Sequence, residues 1–288
     1  PPSGLRPTAL QETDGFVTCK LSMKKNKLKN QKCYICGAPA TSREHVPPQC
    51  LFPEKKDIGT EKFRKDLITV PSCDLHNSKK SKDDEFLMAA LSGYIGNNIL
   101  GFLHTQTKVA RAMERNERFM DVFLKNAAPK WVKNKSGNPM PILRGTPDFP
   151  RLTRCFENIA YGLYYHHFKK PFDGRIFCII DFVTYLNEMA EKWKLFYRKV
   201  YELQAHEFKM EGNSPQIFKY LITERDEDGA FGMRLIFYEG AMVSISFHPP
   251  TPGTSEALFA ERYNSGGPFV FRFKDGSEYQ LDKLQPDL

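Results

Sequence analysis

The sequence predicts an α+β fold: a small Cys- and His-rich N-terminal unit with a helical extension, then a C-terminal antiparallel sheet packed with helices. Three observations predict it. Cysteine, histidine and lysine crowd the stretch before about residue 85. Apolar residues then recur at helical spacing. Beyond Pro215, short β-branched and aromatic runs alternate with Gly-containing turns.

Residues 1–23 carry no pattern and read as a tail outside the fold. Residues 24–127 form the first predicted unit. Its helical extension rests on Phe86, Leu87, Ala90, Leu91, Tyr94 and Ile95, then on Val109, Ala112, Met113, Phe119, Val122 and Phe123, with a break expected near Gly101. Residues 128–150 hold Pro129, Pro139, Pro141, Pro147 and Pro150 with Gly137 and Gly145, which predicts a linker and a domain boundary. Residues 151–288 form the second predicted unit. Helices are expected over 152–168 and 182–203, and strands over 175–180, 216–223, 231–238 and 242–247. A hairpin closes through Lys274-Asp275-Gly276-Ser277 between 269–273 and 279–281.

Composition excludes some classes. At 288 residues, with 41% hydrophobic and 26% charged residues, the chain has the make-up of a globular protein of two modest cores. It has no apolar run of the roughly 18–20 residues that a membrane helix needs, and no secretory pattern, so a cytoplasmic protein without a membrane partner is expected. A net charge of +8 favours a polyanionic partner. Six lysines and no acid lie between Lys20 and Lys32, a pattern that fits a solvated arm and a phosphate-binding arm equally.

The seven cysteines are odd in number and include the pair Cys33-x-x-Cys36, so metal binding outweighs a disulfide framework. With Cys73-x-x-His76 they supply four ligands of the kind tetrahedral structural zinc takes. The 36 residues between the halves exceed ordinary zinc-finger spacing and therefore hold an insert. That insert begins Ser42-Arg43-Glu44-His45-Val46-Pro47-Pro48 and ends Asp66-Leu67-Ile68-Thr69-Val70-Pro71-Ser72. Asn77 and, three residues on, Lys80 follow the second pair.

Over roughly 30–85 this order resembles the zinc-containing branch of the HNH nucleases, also called ββα-metal or His-Me finger enzymes. In that branch a C-x-x-C, an acidic-His-x-x-Pro element, a strand, and a C-x-x-C or C-x-x-H followed by Asn or His succeed one another. The resemblance implies a zinc-stapled ββα fold and an endonuclease that hydrolyses DNA phosphodiesters. His45 would be the general base. Glu44 and Asn77 would be ligands of a catalytic divalent ion, Mg²⁺ or another, while Cys33, Cys36, Cys73 and His76 would hold structural zinc. Lys80 is a candidate phosphate contact. Double-stranded DNA is the expected partner, and a homodimer is a further possibility. Asp66 is the nearest candidate for the middle Asn of the family motif. Asp84, two helical turns past Asn77, is either an additional metal ligand or, more simply, a solvated acid in the run Asp83-Asp84-Glu85. Two alternatives stay open: a zinc-containing nucleic-acid binder that does not cut, and an HNH nuclease acting on RNA. His166 and His167, adjacent on a helix, point apart and do not read as a metal site.

Overall fold

The computed structural model describes residues 28, 30–59, 62–77, 81–115, 124–133, 137–204, 207–253, 257, 261, 269–272 and 276–281. It is a mixed helix and sheet protein. The predicted phosphate contact Lys80 and the predicted helical residues Phe119, Val122 and Phe123 lie outside the described residues.

The N-terminal part is built on a short antiparallel pair, β1 (Ser42–His45) and β2 (Thr69–Ser72), in the register Ser42↔Ser72, Glu44↔Val70 and His45↔Thr69. Between them lie a 3-10 turn (Gln49–Leu51) and α1 (Lys55–Ile58). After β2 come α2 (Asp74–Asn77) and α3 (Ser81–Ser92). The predicted helical break falls at 93–98, ahead of Gly101, because Asn98 caps a new helix: its side chain accepts from Leu100 N and Gly101 N. Gly101 therefore sits inside α4 (Ile99–His104), which runs through a π turn (Thr105–Val109) into α5 (Ala110–Arg115).

Residues 128–150, expected as a linker, instead hold most of a two-stranded antiparallel ribbon, β3 (Leu124–Lys133) and β4 (Pro139–Pro147). Its prolines hid the strand pattern. In a two-stranded ribbon every strand is an edge, and an edge tolerates residues without an N–H.

The C-terminal part is a five-stranded antiparallel sheet in the order β5-β9-β8-β7-β6, formed by Arg175–Ile180, Ala241–His248, Phe231–Phe237, Phe218–Ile222 and Glu211–Ser214. The alternation of side chains sorts its faces. Phe231, Met233, Leu235 and Phe237 of β8 and Val243, Ile245 and Phe247 of β9 are buried. They meet α6 (Phe149–Phe168) through ring contacts such as Phe156–Phe237 at 5.9 Å and Tyr164–Phe247 at 5.8 Å. Asp148 caps α6 by accepting from Arg151 N, and Lys169 ends it in the left-handed conformation. On the opposite face Arg234 pairs with Asp181 and Ser244, and its guanidinium lies 4.9 Å from the Tyr201 ring of α7 (Glu188–Gln204). The expected helix over 182–203 begins six residues late, with Asn187 accepting from Ala190 N. β10 (Phe269–Arg272) and β11 (Glu278–Leu281) pair as the predicted hairpin.

The expected boundary at 128–150 does not divide the core. One buried cluster runs from Cys33, Tyr34 and Val46 through Phe86 and Phe156 to Phe247. Polar contacts cross the same junction: Tyr238 OH donates to Leu51 O at 2.5 Å, Asn98 Nδ2 to Gln216 O at 2.9 Å, and Ser214 Oγ to Phe63 O at 3.2 Å.

Gly162 marks a close approach across this junction. A Cβ there would lie 2.5 Å from Val46 Cγ2 and 2.8 Å from Val46 Cγ1. In an open helix Gly→Ala gains about 1 kcal/mol. Here Val46 is buried and stiff at χ1, so overpacking reverses the sign. Gly162→Ala is expected to lose roughly 1–2 kcal/mol in denaturant melts. In a Val46→Ala background most of that loss should vanish. Additive losses would show that position 162 and the Val46 side chain are not in contact.

Candidate functional site

The sequence-predicted zinc ligands come together. Cys33 and Cys36 lie on a tight knuckle in which Gly37 N donates to Cys33 O at 3.0 Å, and Gly37 turns the chain with φ +70°. Cys73 precedes α2, whose first turn places His76 beside it, with His76 N donating to Cys73 O at 3.1 Å. Cys36 Sγ is 3.8 Å from Cys73 Sγ, and His76 Nδ1 is 3.2 Å from Cys73 Sγ and 3.6 Å from Cys33 Sγ. All four ligand atoms lie within 4.8 Å of one another. Around tetrahedral zinc, bonds of about 2.3 Å to sulfur and 2.0 Å to nitrogen separate sulfurs by about 3.8 Å and sulfur from nitrogen by about 3.6 Å. The donor set therefore fits such an ion. Among the described residues no other group of three or more His, Cys, Asp or Glu does so. His166 and His167 stand with their rings at 90°, and His167 Nε2 meets Tyr220 OH at 3.0 Å.

The other predicted residues surround β1. Because alternate residues of a strand face opposite ways, Ser42 and Glu44 point to one face and Arg43 and His45 to the other. Glu44 is buried at 8% exposure, and both its oxygens accept from Tyr34 OH, at 3.2 and 3.3 Å. Burial, then Glu44, raises the Tyr34 phenol well above its ordinary range, so it remains a donor. Asn77 reaches the same face as Glu44. Its Nδ2 donates to Ser42 Oγ at 2.7 Å, which leaves Oδ1 as the acceptor directed elsewhere. Asp84, expected as a solvated acid, is half-buried and close enough to Tyr34 and Cys50 to act on both. The Asp66 carboxylate is exposed, 3.8 Å from Lys65 Nζ, and braces nothing among the described residues.

His45 is half-buried at the end of β1. Desolvation lowers its imidazole below the ordinary range, Glu44 offsets part of that, and Arg64 adds to it. The ring is therefore neutral near pH 7. The sequence did not disclose Arg64 or its company. Arg64 Nε donates to Phe52 O at 2.9 Å, and Arg64, Lys56 and Lys108 all pair with Glu54, at 3.2, 2.8 and 3.6 Å. Lys56, then Arg64 and Lys108, holds the Glu54 carboxyl down to about 2. Three cations on one carboxylate leave a surplus of positive charge on the side from which Arg64 acts on His45. Cys50, beside this cluster, is no nucleophile: burial, then Asp84, pushes its thiol up to about 12.

His104 supports the floor of this region. It is fully buried, its Nε2 donates to Cys50 O at 3.1 Å, and its Nδ1 has no partner among the described residues. Burial first, then Lys108, lowers its pKa to about 4, with Asp57 and Arg64 acting in opposite senses. The unfolded chain binds a proton at His104 below about pH 6.5 and the folded chain does not until about pH 4. Stability contributed by neutral His104 is thus complete above 6.5 and falls as pH drops toward 4, by about 3 kcal/mol in all. Urea melts of wild type and His104→Gln should diverge in slope across that window. Parallel pH profiles would contradict the assignment.

Comparison with protein-family models, with curated proteins and with solved structures finds no match to this chain. Among the described residues no helix is long and apolar enough to cross a membrane.

Proposed function

We propose that the chain is an HNH-type endonuclease that hydrolyses phosphodiester bonds of double-stranded DNA. The observation that carries this reading is one of order and place. A β1–β2 pair leads directly into a helix, a Cys₃His set ties the two together, and Glu44, His45 and Asn77 lie around β1. A purely structural zinc knuckle has no use for those three residues together.

In this reading zinc at Cys33, Cys36, Cys73 and His76 clamps the hairpin to the helix that carries Asn77. Neutral His45 accepts the proton of the attacking water. Tyr34 holds the Glu44 carboxylate in one orientation, and Ser42 fixes Asn77 so that its Oδ1 is presented as an oxygen donor. Glu44 and Asn77 offer hard oxygens suited to Mg²⁺ or a similar divalent ion. Such an ion, when bound, supplies charge neutralisation on the phosphate and the leaving oxygen. Lys80 remains a candidate phosphate contact in this reading.

One observation favours a second reading. Glu44 is buried under Tyr34 while His45 leaves the opposite face of the strand. A zinc-containing module that binds nucleic acid without cutting needs no convergence of those two groups. Cleavage of plasmid, linear duplex, single-stranded DNA and RNA with Mg²⁺, Mn²⁺ and Ni²⁺ separates the readings. The proposal expects ion-dependent cutting of duplex DNA. Cutting of RNA alone changes the substrate, and salt-sensitive binding without cutting under any ion favours the second reading.

A further inference from the structure

The β3–β4 ribbon stands apart from the zinc unit and the large sheet. It pairs with no third strand, and none of its described residues belongs to the buried core. A surface element of this kind has to be explained by what it meets outside the fold.

Its charge is one-sided. From Leu124 to Pro147 the sequence has Lys125, Lys130, Lys133, Lys135 and Arg144 and no acid. Lys130, Lys133 and Arg144 are exposed, and none has a carboxylate partner among the described residues. The register spreads the cations over both faces. Lys130 pairs with Ile142 and lies on the face of Arg144, whereas Lys133 lies on the face of Trp131. Trp131 is 69% exposed, with Leu143 at 48% diagonally across the same face.

The prolines disfavour strand addition, most of all along β4. Pro129 in β3 and Pro139, Pro141 and Pro147 in β4 lack the N–H that a joining strand would need. Side chains, not backbone, must make the contact. A two-stranded ribbon is a body that the major groove of a duplex admits, and phosphates line both walls of that groove. Standing edge-on in the groove, the ribbon turns Lys130 and Arg144 to one wall and Lys133 with Trp131 to the other, where the exposed indole adds apolar contact with a sugar.

We propose that the β3–β4 ribbon is a second nucleic-acid contact that stands edge-on in a duplex groove, with Lys130 and Arg144 at the phosphates of one wall and Lys133, beside Trp131, at those of the other. It rests on the nucleic-acid partner of the functional reading, though not on catalysis. It places the grip on the substrate in a segment remote in sequence from His45.

The test uses the full chain in EDTA with a short labelled duplex, titrated across a range of salt. The triple variant Lys130→Gln, Lys133→Gln, Arg144→Gln should bind at least roughly tenfold more weakly at low salt. Its log affinity against log salt should be shallower by about 2–3. Zinc content and melting temperature should match wild type, because the ribbon is outside the core. Trp131→Ala should weaken binding without changing the slope. Wild-type affinity and slope in the triple variant would overturn the proposal, even if the protein cuts DNA. An equal loss on single-stranded DNA would overturn the groove placement. Ribbon-dependent binding without cleavage under any divalent ion would leave the ribbon contact standing and sink the nuclease reading.

Discussion

Cys73→Ser is expected to release zinc and to unfold the segment from Cys33 to Asn77, with loss of much of the stability of the whole chain. The strands β1 and β2 and the helix α2 have four residues each. A hairpin and a helix of that length are not stable alone. Apparent binding free energies of structural zinc are about 10–16 kcal/mol in small zinc peptides, comparable with the whole stability of a typical domain. The damage should also spread, because Cys33, Tyr34 and Val70 belong to the same buried cluster as Phe156 and Phe247. Metal analysis together with thermal melting in the presence and absence of chelator checks this. A Cys73→Ser protein that melts like wild type, or a wild type that holds no zinc, would remove the clamp.

His45→Ala is the substitution expected to affect chemistry most. A positioned general base contributes typically 10²–10⁴-fold, so single-turnover cleavage should fall by at least about 100-fold. Its side chain is half-buried at a strand end and makes no bond that holds the hairpin among the described contacts, so zinc content and melting temperature should change little. Affinity for duplex DNA should also persist, since the proposed phosphate contacts are other residues. Loss of rate with retained affinity distinguishes a base from a binding residue. Equal losses in both would assign His45 to positioning alone.

The Cys₃His cluster was legible because metal coordination imposes residue type and local spacing at once: the grouping of Cys33, Cys36, Cys73 and His76 needed no knowledge of packing. The helix around Phe156 and Tyr164 and the strands around Phe231 and Val243 were legible because burial on one face writes a period into the sequence. Tyr34, Arg64 and His104 were not. Each acts on a residue brought near by the fold, Glu44, Glu54 and Cys50 respectively, and no spacing rule encodes such a meeting. The β3–β4 ribbon was misread as a linker because strand alternation there serves no core, so prolines and lysines replace the apolar positions that usually reveal a strand. Likewise, strand alternation turns Glu44 and His45 to opposite faces, a consequence of adjacency that the motif reading passed over.

The most direct measurement is a matched time course of supercoiled plasmid with zinc-loaded wild type and His45→Ala, each with Mg²⁺ and with EDTA. The account predicts nicked or linear product only for wild type with Mg²⁺, and at least about 100-fold slower product for His45→Ala. Equal cleavage by the two proteins, or none by wild type with Mg²⁺, Mn²⁺ or Ni²⁺, would contradict it.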